Sequence, residues 1–288
     1  SPLTKAVNKQ LLPLYDKPLI YYPLSILMLA GIREILIIVN KGQLSQFSKI
    51  LPEKNNIGIK ITYKEQFSPR GLPDAFLLGK KFIEKDNVAL ILGDNFFYGQ
   101  SLTAQLKQCV KLKSGARVFL HPVKNPSLYG VANINKKNKI SRIIEKPKKT
   151  SSNLAITGLY FYDGQASQLA KQIRPSSRGE LEITALNQLY LDQHQLKVHM
   201  MGRGFAWLDT GTHESLMEAS RFVSTVEHRQ GLKIGCLEEI AYANAWIDES
   251  GLKASGDAHK NSSYGTYLLG LLNDPERLAE TKQAGLFS

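Results

Sequence analysis

This 288-residue sequence predicts a doubly wound α/β fold on a mostly parallel mixed sheet, with a small antiparallel addition and C-terminal helices. Three observations lead there. Helix-like and strand-like patterns alternate through the first half, the rhythm of βαβ units. Two continuous apolar runs, Ile35–Val39 and Val88–Leu92, have the composition of strands covered on both faces. Beyond residue 129 the pattern changes to shorter strands joined by tight turns, which suits antiparallel pairing.

Tyr21–Gly31 reads as a helix, with Pro23 in its first turn and Gly31 as its stop. Ile35–Val39 is a strand, Gln43–Leu51 a short helix and Ile59–Tyr63 a strand. Leu72–Glu84 is an amphipathic helix leading into the strand Val88–Leu92. Leu102–Leu112 is a helix and Ala116–His121 a strand. Gly130–Ile134, Ile140–Ile144 and Ala155–Tyr162 form the antiparallel addition. A helix at Glu180–Asp192, a strand at Lys197–Met201 and a long helix at Thr212–Arg229 follow. Glu238–Ile247 and Tyr264–Leu272 are further helices. The simplest partition is a core over 1–230 and a helical extension over 231–288.

The net charge is +12, which favours anionic partners. The basic residues are scattered. Their densest stretch, Lys136–Lys149, is broken by Ile140, Ile143, Ile144 and Glu145 and lacks interleaved aromatics, so nucleic acid is not the expected partner. Cys109 and Cys236 make neither a disulfide framework nor a metal cluster, and a reducing, cytoplasmic setting is expected. No apolar run reaches the roughly 18–20 residues that span a bilayer, so no membrane is expected.

Several segments carry candidate chemistry. Asp94 follows a buried strand in LILGDN, where α/β sheets bind ligands, and its carboxylate suits Mg²⁺ beside phosphates. Gly-Asp-Asn is equally good turn chemistry. Asp209, in FAWLDTGTHESL, repeats the arrangement, although Thr210 or Thr212 also makes a helix cap. Two acids at different strand ends could share one metal. Lys9 and Lys17 stand in loops beside what would be a phosphate site. Pro147 biases Lys146 towards an extended conformation that aims its ammonium off the strand end, with Glu145 free for sugar hydroxyls. A surface ion pair is the plainer alternative. Arg178, in SRGELE, offers a planar fork to phosphate oxygens. In QFSPRGL, Gln66 has the donor and acceptor that a pyrimidine edge requires, and Gly71 lets backbone approach a flat ring. The six histidines show no metal-ligand spacing, and no nucleophile motif is present.

The segments KQLLPLYDKPLIYYPLSILMLAGIREILII, QFSPRGLPDAF, LILGDNFFYG, YGVANI, EKP, AITGLYFYD, RGELEIT and MGRGFAWLDTGTHESLMEAS occur in this order. Together they resemble the sugar nucleotidyltransferases with a Rossmann-like fold, and among them the glucose-1-phosphate thymidylyltransferases. The resemblance implies transfer of a thymidylyl group from dTTP to α-D-glucose 1-phosphate, giving dTDP-glucose and pyrophosphate on the route to dTDP-L-rhamnose. It implies Mg²⁺ on Asp94 and Asp209, and Lys9 and Gln10 at the nucleotide phosphates. Gln66 and Gly71 would read thymine, with Asn95 supporting the nucleotide. Tyr129, Gly130, Glu145, Ile156 through its backbone and Tyr160 would surround glucose. Lys146 and Arg178 would hold the sugar phosphate. A homotetramer with dTDP-rhamnose as feedback ligand is the implied assembly. The Lys9-Gln10 pair favours thymidylyl over uridylyl relatives, where Glu commonly follows the lysine.

Family members also carry an opening strand and a GxGTRL-like loop directly before the position of Ser1, so the chain is expected to continue upstream. A uridylyl- or cytidylyltransferase of the same fold is one alternative, and a non-catalytic sugar-nucleotide-binding subunit is another if that loop is truly absent. Arg70, Pro73 and Ile144 depart from the family pattern; Asp is usual at position 70.

Overall fold

The computed structural model describes residues 7–135 and 139–274. The start of the basic stretch Lys136–Lys149 and the end of the expected C-terminal extension lie outside the described residues.

Lys9–Leu11 forms one 3₁₀ turn, capped by Asn8, whose Oδ1 accepts from the Gln10 N–H at 2.9 Å. A two-rung hairpin follows, β1 (Pro13–Leu14) with β2 (Lys17–Pro18). Helix α1 (Tyr21–Leu29) is apolar on every side and must be covered on every side; only Tyr21 is not fully buried. Gly31, at φ +86°, ends its turn.

The unit β3 (Glu34–Asn40), α2 (Leu44–Ile50), β4 (Lys60–Gln66) is a parallel βαβ, in register from Glu34↔Lys60 to Asn40↔Gln66. The next predicted helix is two, α3 (Asp74–Leu78) and α4 (Lys80–Ile83), parted at Gly79. A Cβ there would lie 2.9 Å from the Ala75 carbonyl oxygen and 3.0 Å from the Leu36 side chain, so glycine eases the close approach of this turn to β3. Then come β5 (Val88–Ile91), β6 (Asn95–Tyr98), α5 (Leu102–Val110), β7 (Ala116–Pro122), β8 (Gly130–Ile134), β9 (Ile140–Glu145) and β10 (Leu154–Tyr162). The chain continues through α6 (Ala166–Ala170), α7 (Ile183–Asp192), β11 (Leu196–Met200), β12 (Ala206–Asp209) and α8 (His213–Gln230). It closes with α9 (Leu237–Ala243), α10 (Glu249–Ala258) and α11 (Ser263–Leu272).

Strand β10 organises the main sheet. It runs antiparallel to β7 over residues 154–156 and again over 160–162, and β7 in turn pairs in parallel with β11. Along its other edge, Ala155 pairs with β8 and Leu159–Tyr162 pair with β5. The register shifts between Ile156 and Tyr160, where β10 changes neighbours. The sheet therefore splits at Gly158. Of the three strands expected in the antiparallel addition, β8 and β9 pair with each other, whereas the third, β10, is the organising strand of the main sheet, because it pairs with β5, β7 and β8. Separately, β12 pairs with β6, setting Asp209 opposite Asn95.

The two apolar runs are strands, but they are only half-covered. Among the described residues β3 pairs only with β4, and β5 only with β10. Between them runs a cleft, seen as cavities of about 230 and 480 Å³, both lined by β3 and β5. Among the described residues neither strand has a neighbour on that side, and the side chains there are partly exposed. The cleft has the lining a further strand would need.

Two features hold the C-terminal helices. Lys17, 3% exposed, contacts Asp16 and Glu227, the latter at 3.1 Å, while Lys233 contacts the same two acids. This cluster ties the hairpin to the end of α8 and the loop beyond it. Helix α9 packs on α1, and Tyr267 on α11 donates to Glu239 on α9 at 2.7 Å. Helix α10 is not apparent in the sequence, because Gly251 and Gly256 weaken its pattern. Asp248 caps it through the Gly251 N–H at 2.8 Å, and Gly256 admits Leu269 of α11.

Candidate active site

Two cavities, about 450 and 480 Å³, adjoin at the split in the sheet and share Gln66, Gly71 and Leu72. Every predicted site residue except Lys9 lines one or both, and Lys9 is bonded to Asp94.

The acids come from the ends of paired strands. Asp94 directly precedes β6 and Asp209 ends β12. The Thr210 N–H and Oγ1 both donate to the Asp94 carbonyl, at 3.0 and 2.7 Å, locking the two strand ends together. Burial and then the charge of Asp94 push the Asp209 carboxyl above its usual range. Lys9, the Gly211 N–H and Lys146 partly oppose this. The two carboxylates thus share one field, with two cations close by. Among the described residues no group of three or more His, Cys, Asp or Glu gathers as a metal cluster. Two carboxylates fit Mg²⁺, which takes few protein oxygens and completes its shell with water and substrate phosphates.

Asn95 explains how Asp94 is aimed. This residue is 2% exposed. Its Oδ1 accepts from Trp207 Nε1 at 2.7 Å and from the Gly158 N–H at 3.2 Å, and its Nδ2 donates to Asp94 Oδ1 at 3.1 Å. Gly158 is what permits this, since a Cβ there would lie 2.4 Å from Asn95 Oδ1. Asn95 lines the cavity, yet its amide is engaged within the protein.

In the cavity of about 450 Å³, Glu145 Oε2 accepts from Thr184, and its Oε1 lies 3.3 Å from Arg178 Nη2. Gly130 sits against both Thr184 and Glu145, and Ile156 and Tyr160 present buried β10 backbone and ring. Tyr129 packs on Trp207 with ring centroids 5.0 Å apart; burial and then the charge of Asp209 raise its phenol. Arg178 is exposed on one side and forked onto Glu182, with Nη2 at 2.8 Å from both oxygens.

Two expectations are corrected. Lys146 is not extended: it stands at φ +40°. Its N–H is committed to the Tyr129 carbonyl at 3.0 Å, so the β8–β9 pairing continues one residue past Glu145 and the chain must then turn sharply. A lysine in that conformation is strained, and such strain concentrates at functional sites. Lys17 is no phosphate-site cation, because it is buried against Asp16 and Glu227.

Gly71 has a structural requirement beyond approach to a ring. It lies at φ +107°, and a Cβ would stand 2.0 Å from the Leu181 carbonyl oxygen. The Leu181 N–H donates to the Arg70 carbonyl at 2.7 Å. The Gln66–Leu72 loop is thereby fastened to the loop that carries Arg178. Sequence reasoning missed Asp74 and Glu182, the carboxylates that hold Arg70 and Arg178. Both follow their arginine by four residues, a spacing that brings side chains together on a helical turn.

A family model for nucleotidyl transferases matches residues 1–226. A glucose-1-phosphate thymidylyltransferase of Neisseria meningitidis is 53% identical over 271 residues, 94% of each chain. One from Mycobacterium tuberculosis is 46% identical, again over 94% of each. Among solved structures, a Bacillus anthracis protein described under the same activity and crystallised with sucrose superposes with a TM-score of 0.71. It is 37% identical, and the match covers 77% of this chain and 88% of that one. A UDP-glucose pyrophosphorylase, 24% identical at a TM-score of 0.66, shares the fold.

Proposed function

The chain belongs to the nucleotidyl transferase family, among the glucose-1-phosphate thymidylyltransferases, and from that premise we propose that it transfers the thymidylyl group of dTTP to α-D-glucose 1-phosphate. The products are dTDP-glucose and pyrophosphate. The observation that carries this reading is the gathering of Lys9, Asp94, Asp209, Lys146 and Arg178 around two adjoining cavities. Such an array suits the meeting of two polyanions.

The nucleophile is an oxygen of the sugar phosphate. Its second pKa of about 6 leaves it largely dianionic near neutral pH, so no general base is required. It attacks the α-phosphorus in line. A new P–O bond forms, the bond to the bridging oxygen breaks, and pyrophosphate leaves with the electron pair. Positioning and charge neutralisation carry a transfer of this kind. Lys9 offsets charge on the nucleotide phosphates, with Gln10 beside it. Lys146 and Arg178 hold the sugar phosphate. Glu145 accepts hydrogen bonds from glucose, which Tyr129, Gly130, Ile156 and Tyr160 enclose. Gln66 and Gly71 take the thymine. Asp94 and Asp209 are the residues to hold Mg²⁺, which supplies charge neutralisation to the phosphates when bound.

The same reading includes a cytoplasmic homotetramer whose product feeds dTDP-L-rhamnose synthesis and whose feedback ligand is dTDP-rhamnose. Pyrophosphate release with glucose 1-phosphate and Mg²⁺, compared for dTTP, UTP and CTP, tests the reaction. Fastest turnover with dTTP supports it. A higher kcat/KM with UTP or CTP overturns the thymidylyl assignment, and no release with any nucleotide overturns catalysis itself.

A further inference from the structure

Gln66 ends β4 at the junction of the two cavities. Its Nε2 donates to Asp74 Oδ2 at 3.1 Å, while Arg70 Nη2 donates to Asp74 Oδ1. The Asp74 side chain is 2% exposed, at the first position of α3. An ion-paired carboxylate can only accept hydrogen bonds. The Gln66 amide must therefore turn a donor towards Asp74, which settles which way round it stands.

We propose that Asp74 is the positioning residue that sets base discrimination, by pinning the Gln66 amide in the one orientation that matches thymine and uracil and mismatches cytosine. This inference rests on the base-reading role given to Gln66 above. At adjacent ring positions thymine presents an N–H donor and a carbonyl acceptor, whereas cytosine presents a bare nitrogen acceptor and an amino donor. An amide turned through 180° exchanges its own donor and acceptor. A freely turning amide accommodates either base, and a pinned one accommodates one pattern only. Uracil has the same edge as thymine, so Asp74 separates cytosine from both and does not separate those two from each other.

Asp74→Asn is the informative change because it is nearly isosteric. Arg70 only donates, so it draws the new Asn oxygen to itself and leaves the Asn N–H₂ facing Gln66. The Gln66 amide then turns over to accept from it.

Equilibrium binding of dTDP, dUDP and dCDP to the full-length protein reads this directly. The parent should prefer dTDP to dCDP. Asp74→Asn should lower that preference by about tenfold or more, one reversed hydrogen bond, and leave the dTDP-to-dUDP ratio unchanged. In a Gln66→Ala background the same substitution should change neither ratio. Asp74→Ser, which also removes the obligatory acceptor, serves if Asp74→Asn does not fold. A parent without preference for dTDP over dCDP, an unchanged ratio in a folded variant, or equal weakening of all three nucleotides overturns the proposal. Turnover of dTTP by the parent reports separately on the reaction, so the two readings fail independently.

Discussion

Lys9 Nζ lies 3.1 Å from Asp94 Oδ2, so the cation proposed for the nucleotide phosphates and an acid proposed for the metal are paired directly with each other. Both side chains remain partly open to solvent, at 23% and 30% exposure, which leaves them free to exchange partners as phosphates enter. Replacing Lys9 with Ala, or either Asp94 or Asp209 with Asn, should lower kcat about 10²–10³-fold, the range seen when one preorganised transition-state contact is lost. The KM for glucose 1-phosphate should move much less. Steady-state kinetics on the three variants checks this, and turnover within a few-fold of the parent would remove the residue concerned from the mechanism.

Gly158→Ala should damage catalysis through Asn95. The new methyl would displace Asn95, against whose Oδ1 it falls at 2.4 Å, and so loosen the hold on Asp94. A lowered kcat together with a lowered Tm is the expected result.

Arg178 is partly neutralised by Glu182 through a two-pronged contact. Glu182→Gln should release the guanidinium and lower the KM for glucose 1-phosphate a few-fold, whereas Arg178→Ala should raise it. A rise in KM for Glu182→Gln would mean that the acid serves to position the arginine and does not restrain it.

Lys17→Met should be among the most damaging changes outside the site. It leaves Glu227, 6% exposed, without one of its two ammonium partners. Breaking a buried ion pair costs about 3–5 kcal/mol. Denaturant unfolding of the variant would measure it.

The same cluster sets a pH window for stability. Burial alone would raise the Asp16 carboxyl, but Lys17 and Lys233 outweigh it and hold it below the ordinary 3.8. Its contribution is therefore complete above pH 3.8 and is lost as pH falls through the lower folded value. Burial likewise would lower Lys233, but Asp16 and Glu227 outweigh it and raise it above 10.5. That contribution is complete below pH 10.5 and is lost as pH climbs through the higher folded value. Thermal melts of the parent and of Asp16→Asn across pH should differ most between these limits and converge towards the acid end.

Periodicity made the parallel unit β3–α2–β4 and the long α8 legible, because each is locally consistent. Strand-end position and residue type together made Asp94 and Asp209 legible. The partners that orient them were not. Asn95 is held by Trp207, 112 positions away, and by Gly158, 63 away, and no local pattern announces such contacts. Lys17 read as a cation beside a phosphate site because Glu227, which buries it, is 210 positions distant. Lys146 defeated the rule for residues preceding proline because its N–H is bonded across the β8–β9 hairpin. Asp74 and Glu182 lay within reach, four residues past their arginines, but spacing alone does not tell a surface pair from a pair that orients a site.

The cleft between β3 and β5 has a consequence for handling this protein. Each wall is a strand edge with no strand beside it among the described residues. Bare edges recruit extended backbone from other molecules. Here the recruiting edges belong to β3 and β5, whose apolar side chains are partly exposed. A chain with this cleft open therefore carries its aggregation hazard at these edges. A segment seated in the cleft would shield both edges from other copies of the protein.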